Sequence, residues 1–126
     1  MKVIENYRRA IENSDENSLK EVFAPQVLLK TPAGASDNYP VNIASHIMSQ
    51  VAKIAPGITC ALTADAGNNW HFLGFEGQIE GQKFQAVDQV HLNKDDKIDQ
   101  LTIYMRPIPV AQEFAEVILQ RLQPTR

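Results

Sequence analysis

The chain has 126 residues, 44% of them apolar and 21% charged, with a formal net charge of −3. That length supports one hydrophobic core and not two, so residues 1–126 are expected to form a single domain of ordinary globular composition. The mild acidity offers no basic footprint for nucleic acid, and no apolar run reaches membrane-spanning length, so neither nucleic acid nor membrane is an expected partner.

In chain order, Val3, Ile4, Tyr7, Ala10 and Ile11 recur at helical spacing, with Glu5, Arg8, Arg9 and Glu12 outside that stripe. Asn13-Ser14-Asp15 interrupts the pattern, and Ser14 or Asp15 can cap a short second helix carrying Leu19, Val22 and Phe23. Pro25 predicts the end of that helix, residues 26–31 a short strand, and Pro32 to Pro40 a loop rich in Gly, Ser, Asp and Asn. A third helix follows, with Ala44, Ile47, Met48, Val51, Ile54 and Ala55 on one stripe and Pro56-Gly57 closing it.

From Ile58 the period becomes two. Ile58, Cys60, Leu62 and Ala64 alternate with Thr59, Ala61 and Thr63 up to a turn at Gly67-Asn68-Asn69. Residues 70–79 and 82–92 are the next strands, joined by a tight turn at Glu80-Gly81, and residues 97–106 form a last one with Leu101, Ile103 and Met105 on one face. After Pro107, Val110, Phe114, Val117, Ile118 and Leu122 mark an amphipathic C-terminal helix. The expected class is therefore α+β: helices gathered on one face of a curved, mainly antiparallel sheet, leaving a cone-like cavity suited to a small molecule.

Two residues stand out against this frame. Asp88 interrupts a strand face otherwise made of Phe84, Ala86, Val90 and Leu92, and a carboxyl group facing a sheet interior is costly to bury. Tyr7 sits on the apolar stripe of the first helix. Together they can offer two hydrogen-bond donors to a ligand oxygen. The alternatives are a carboxyl partly wet at the sheet rim or paired for structural reasons, and a tyrosine serving as a core aromatic. Glu76 and Asp65 each read two ways, as an inward-facing base or as a solvated carboxylate. His91 lies three residues from Asp88 and hence on the opposite strand face, with Gln89 and Tyr104, while His46 falls on the polar side of its helix. Arg106, at the strand end, reads better as a structural ion-pairing residue than as an anion clamp. The His, Cys and carboxylate spacings suggest no metal site, and the lone Cys60 fits a reducing compartment, with the cytoplasm as the expected location.

The chain resembles the NTF2-like superfamily and, within it, the SnoaL-like and ketosteroid-isomerase-like proteins. The likeness is carried by the first helix, Asp15, the Leu19…Val22-Phe23-Ala24-Pro25 segment, Thr31-Pro32, the hairpin Val87-Asp88-Gln89-Val90-His91-Leu92-Asn93…Lys97-Ile98, and the ending Met105-Arg106-Pro107. It implies an NTF2-like cone, a curved sheet wrapped over three N-terminal helices with one more helix at the C-terminus, and pairing into a homodimer through an outer sheet face bearing Gln89, His91, Thr102 and Tyr104. Set against a ketosteroid isomerase, Tyr7 and Asp88 fall on that enzyme's oxyanion-hole tyrosine and aspartic acid, the latter kept protonated there by its apolar site. The isomerase's proton-shuttling aspartate falls on Thr31, whose hydroxyl has no useful basicity near pH 7.

The resemblance thus implies a small hydrophobic ligand with one polar oxygen, held by Tyr7 and Asp88 in a pocket with Ile11, Phe23, Thr31, Met48, Trp70, Val90, Leu101, Ile103 and Met105 around it. If there is catalysis, it is cofactor-independent isomerisation or cyclisation next to a carbonyl. The alternative is a non-catalytic ligand-binding or dimerisation domain.

Overall fold

The computed structural model describes residues 2–34 and 36–122, the side chains of residues 36, 121 and 122 excepted. Helix α1 (Lys2–Glu12) buries Ile4, Tyr7, Ala10 and Ile11 along one stripe, while Arg8 bridges Glu5 and Glu12 outside it. Asp15 caps α2 (Glu16–Val22), its carboxylate accepting from the Ser18 backbone N at 3.2 Å and the Ser18 hydroxyl at 2.8 Å. Leu19 and Val22 face inward.

Strand β1 (Phe23–Lys30) starts directly at Phe23, two residues before the proline expected to end the helix. Pro25 is tolerated there because the pairing with β6 (Ile98–Arg106) is interrupted between Phe23 and Leu28, so no ladder bond is asked of its missing N–H. The segment expected as a loop contains a further strand, β2 (Ser36–Pro40), antiparallel to β1 from Gln26↔Pro40 to Lys30↔Ser36. Its composition hid it: in an edge strand of Ser, Asp, Asn, Tyr and Pro, Tyr39 alone among the described side chains is partly buried, too little to impose an alternation.

Helix α3 (Val41–Lys53) leads into β3 (Thr59–Gly67), β4 (Trp70–Ile79) and β5 (Gln82–Leu92), and α4 (Ile108–Leu122) follows β6. The six strands lie in the order β2-β1-β6-β5-β4-β3, all antiparallel except β1 with β6. Asn68-Asn69 and Glu80-Gly81 connect β3–β4 and β4–β5 with positive φ at both central positions, the mirror-image turn that matches strand twist. Register shifts in the β1–β6, β3–β4 and β5–β6 pairings bend the sheet into an open, cone-like half-shell. Tyr7, Ile47, Met48, Phe114 and Ile118 pack from the helices against Leu73, Phe75, Phe84, Val90 and Leu101 on its concave side. Of the apolar stripe read for the last helix, the side chain of Leu122 lies outside the described residues.

One register shift overturns an expected alternation. Cys60 pairs with Phe75 but Leu62 pairs with Gly74, and Leu62 is thereby thrown to the convex face, where it is 59% exposed. No helix among the described residues is long and apolar enough to cross a membrane.

Candidate functional site

Strand β5 presents Phe84, Ala86, Asp88, Val90 and Leu92 to the concave side, and all five are buried. Helix α1 crosses over Asp88, and its inward Tyr7 hydroxyl donates to Asp88 Oδ2 at 2.6 Å, in the range of a charge-assisted bond. The Tyr7 ring packs on Phe23, centroid to centroid at 6.1 Å. Further along α1, Glu12 accepts from the Cys60 backbone N at 2.9 Å, tying the helix end to the start of β3.

The electrostatics follow from burial. Loss of water pushes the Asp88 carboxyl from the usual 3.8 up to about 7, against the opposing effect of the Tyr7 bond, which favours the carboxylate. Burial first, and then the charge of Asp88, raise the Tyr7 phenol well above its usual range. Near neutral pH, Asp88 is therefore available both as an acid and as its anion.

Asp88 opens on an interior cavity of about 30 Å³. Its walls include Ile11 of α1, Met48 and Val51 of α3, Phe75, Ala86, Ile103 and Met105 of the sheet, and Phe114 of α4. The volume accommodates on the order of one water molecule, far below the roughly 150 Å³ that holds a benzene ring. Larger hollows occur elsewhere, among them an open one of about 390 Å³ on the convex face around Leu62, Gly74, Val87 and Tyr104. Its walls carry no buried polar group, so its chemistry is that of a packing surface.

Of the residues expected around the ligand, Ile11, Met48, Ile103 and Met105 join Asp88 on the cavity wall. Phe23 stands behind Tyr7, and Val90 and Leu101 are fully buried core side chains outside the cavity. The Thr31 hydroxyl accepts from the Ala33 N–H at 3.2 Å in the turn after β1, also outside it. Trp70 must be placed differently: strand alternation turns His71 inward, and Trp70 packs at a tilt against His91 on the convex face with ring centroids 4.6 Å apart. Glu76 is exposed on that same face, and the Asp65 carboxylate accepts from the Gly67 N–H at the exposed end of β3. Neither reaches the cavity.

Two side-chain placements escaped the sequence. Phe114 was legible only as a helix-stripe residue, since its contact with the cavity depends on where α4 docks. Asp99, whose Oδ1 lies 2.7 Å from His91 Nδ1, is brought beside the imidazole by the register shift between His91 and Leu92. His46, read as solvent-exposed, is exposed and lies 3.0 Å from Glu16 Oε1. Among the described residues, no cluster of three or more His, Cys, Asp or Glu is placed to hold a metal ion.

No known family profile and no curated protein matches the chain. Solved structures do. An uncharacterized protein of Silicibacter pomeroyi DSS-3 with a cystatin-like fold superposes with a TM-score of 0.86 at 16% identity, covering 94% of this chain and 84% of that one. A steroid delta-isomerase of Pseudomonas aeruginosa gives 0.81 at 19% identity, covering 95% and 88%. An NTF-2 like protein of unknown function from Burkholderia xenovorans LB400 gives 0.71 at 13% identity, covering 88% and 89%. At these identities the likeness speaks for the fold, and the resemblance read from the sequence is borne out at that level: the chain has the NTF2-like fold.

Proposed function

We propose that this protein binds a small, ring-bearing molecule through one oxygen, with Asp88 donating to that oxygen and Tyr7 supporting it. The observation that carries the reading is a buried carboxyl group on the wall of an otherwise apolar cavity, hydrogen-bonded to a buried phenol and held near pKa 7. A protonated Asp88 can give its proton to a carbonyl, enol or phenolate oxygen while its other oxygen accepts from Tyr7. The two donors then act in series, each polarising the next. The expected ligand is mostly apolar, with a single polar oxygen.

A second reading, catalysis next to a carbonyl as in an isomerase or cyclase, draws on the likeness to the steroid delta-isomerase. It needs a base within reach of the ligand's acidic carbon. Among the described cavity-lining residues Asp88 is the single ionisable group, so that base would have to be Asp88 in its anionic form. Binding is the primary reading.

The test is calorimetric titration with phenols and naphthols of graded acidity, against the wild type, Tyr7→Phe and Asp88→Asn. Affinity that rises with phenol acidity, and a slope that flattens in both variants, is the expected result. Binding indifferent to both substitutions rules the site out.

The same reading includes a homodimer through the convex face. Leu62, Val87 and Tyr104 are exposed there around the bare Gly74, and Glu76, Gln85 and Arg106 form one cross-strand row. A twofold axis along β5 would set Glu76 opposite Arg106 of a second copy. Sedimentation equilibrium is expected to show a dimer for the wild type and a monomer for Val87→Arg.

A further inference from the structure

The cavity beside Asp88 is too small for the ligand that its chemistry suits. The Phe114 ring, contributed by α4, stands on the cavity wall and meets Phe84 edge to face at 5.3 Å. Phe84 itself is seated on bare backbone, since a Cβ on Gly77 would lie 2.9 Å from its Cε2 and Cζ. That seat does not depend on α4.

Helix α4 is also held in a way that permits removal. Among its described side chains Val110, Phe114 and Ile118 are buried at four-residue spacing, and Val117 beside them packs half-buried against the core. Ile108 is 73% and Leu119 47% exposed, and Gln112, Glu113, Glu116 and Gln120 face water. Among the described side chains of α4, none makes a hydrogen bond or ion pair with the rest of the protein. The helix forms no part of the sheet ladder, so its displacement breaks no strand pairing.

We propose that Phe114 is an internal stopper: its phenyl ring occupies the place of the ligand's ring, and α4 lifts to exchange one for the other. The inference rests on the reading of Asp88 as the oxygen-binding group and adds to it the ligand's size and route. The ligand carries one six-membered apolar ring bearing an acidic hydroxyl, since the exchange is ring for ring. In the free protein the competent, lifted state is a minor one, and apparent affinity is reduced by that fraction.

The experiment compares the full-length wild type with Phe114→Ala, using phenol and toluene as probes in calorimetric or NMR titrations, with circular dichroism and thermal melting to confirm folding. Phenol is expected to bind Phe114→Ala about tenfold or more tighter than wild type. In Phe114→Ala/Asp88→Leu, which leaves no donor or acceptor at that position, the preference for phenol over toluene is expected to vanish. If Phe114→Ala gains phenol and toluene equally, the stopper stands and the Asp88 reading falls. If it gains neither, while wild type binds phenol in a manner sensitive to Asp88→Asn, the Asp88 reading stands and the stopper falls. Wild-type hydrogen exchange supplies the arm that needs no variant: at saturating phenol, amides 110–118 are expected to exchange faster while those of β4 and β5 do not. Unchanged or slower exchange in α4 overturns the proposal even if Phe114→Ala does not fold.

Discussion

Replacing Asp88 by Asn should change how the stability of this protein depends on pH more than it changes stability at any one pH. Asn keeps the shape and can accept the Tyr7 hydrogen bond, but it does not titrate. In the wild type, burial raises the carboxyl from 3.8 to about 7. Between those two values the folded chain holds a proton that the unfolded chain has released. The stabilisation contributed by the neutral acid is therefore complete below pH 3.8, declines as pH rises, and is gone above about pH 7. The interval is roughly three pH units, at about 1.4 kcal/mol each, so the wild type should lose on the order of 4 kcal/mol relative to Asp88→Asn between pH 4 and pH 8. Urea unfolding of both proteins at half-unit steps over that range measures the difference directly, because other groups titrate alike in the two and cancel. Parallel curves, or a wild type that gains on the variant as pH rises, would refute the burial argument.

Other perturbations probe the surroundings. Tyr7→Phe removes the bond that favours the Asp88 carboxylate, so the carboxyl should titrate still higher than in the wild type, visible in its carbon chemical shift. The same change should destabilise by about 1 kcal/mol at pH 5 and by more above pH 8, where the acceptor is charged. Gly77→Ala forces a Cβ to within 2.9 Å of the Phe84 ring and should cost about 1–3 kcal/mol in urea unfolding, a loss that Phe84→Leu in the same chain partly restores. Glu12→Ala leaves the Cys60 N–H without its acceptor; a loss of about 1–3 kcal/mol, with faster amide exchange at the start of β3, is expected.

The fold was largely legible because its long strands keep one face buried. In β5 the alternation of Phe84, Ala86, Val90 and Leu92 fixed both the strand and the inward direction of Asp88, and the stripe of α1 did the same for Tyr7. Where no face is buried, the pattern lost its force. Strand β2 reads as a loop, and β3 is exposed along most of its length, so a single register shift could carry Leu62 to the convex side unannounced. Trp70 shows the same limit: its aromatic bulk suggests a pocket, yet parity with His71 sends it outward. Phe114 and Asp99 acquire their roles from helix docking and from a bulge, neither of which leaves a local sequence mark. The series arrangement of Tyr7 and Asp88 is likewise a product of how α1 crosses the sheet.

Titration of the Asp88 side-chain carbon by ¹³C NMR, with and without a saturating phenol, tests the central claim most directly. The free protein should show a midpoint near 7, and a phenol acidic enough to be ionised at neutral pH, such as a nitrophenol used as the saturating ligand, should raise it, because a bound phenolate favours the protonated acid that donates to it. A midpoint in the ordinary carboxylate range, or one that the nitrophenol leaves unmoved while it binds, would contradict Asp88 as the group that receives the ligand's oxygen.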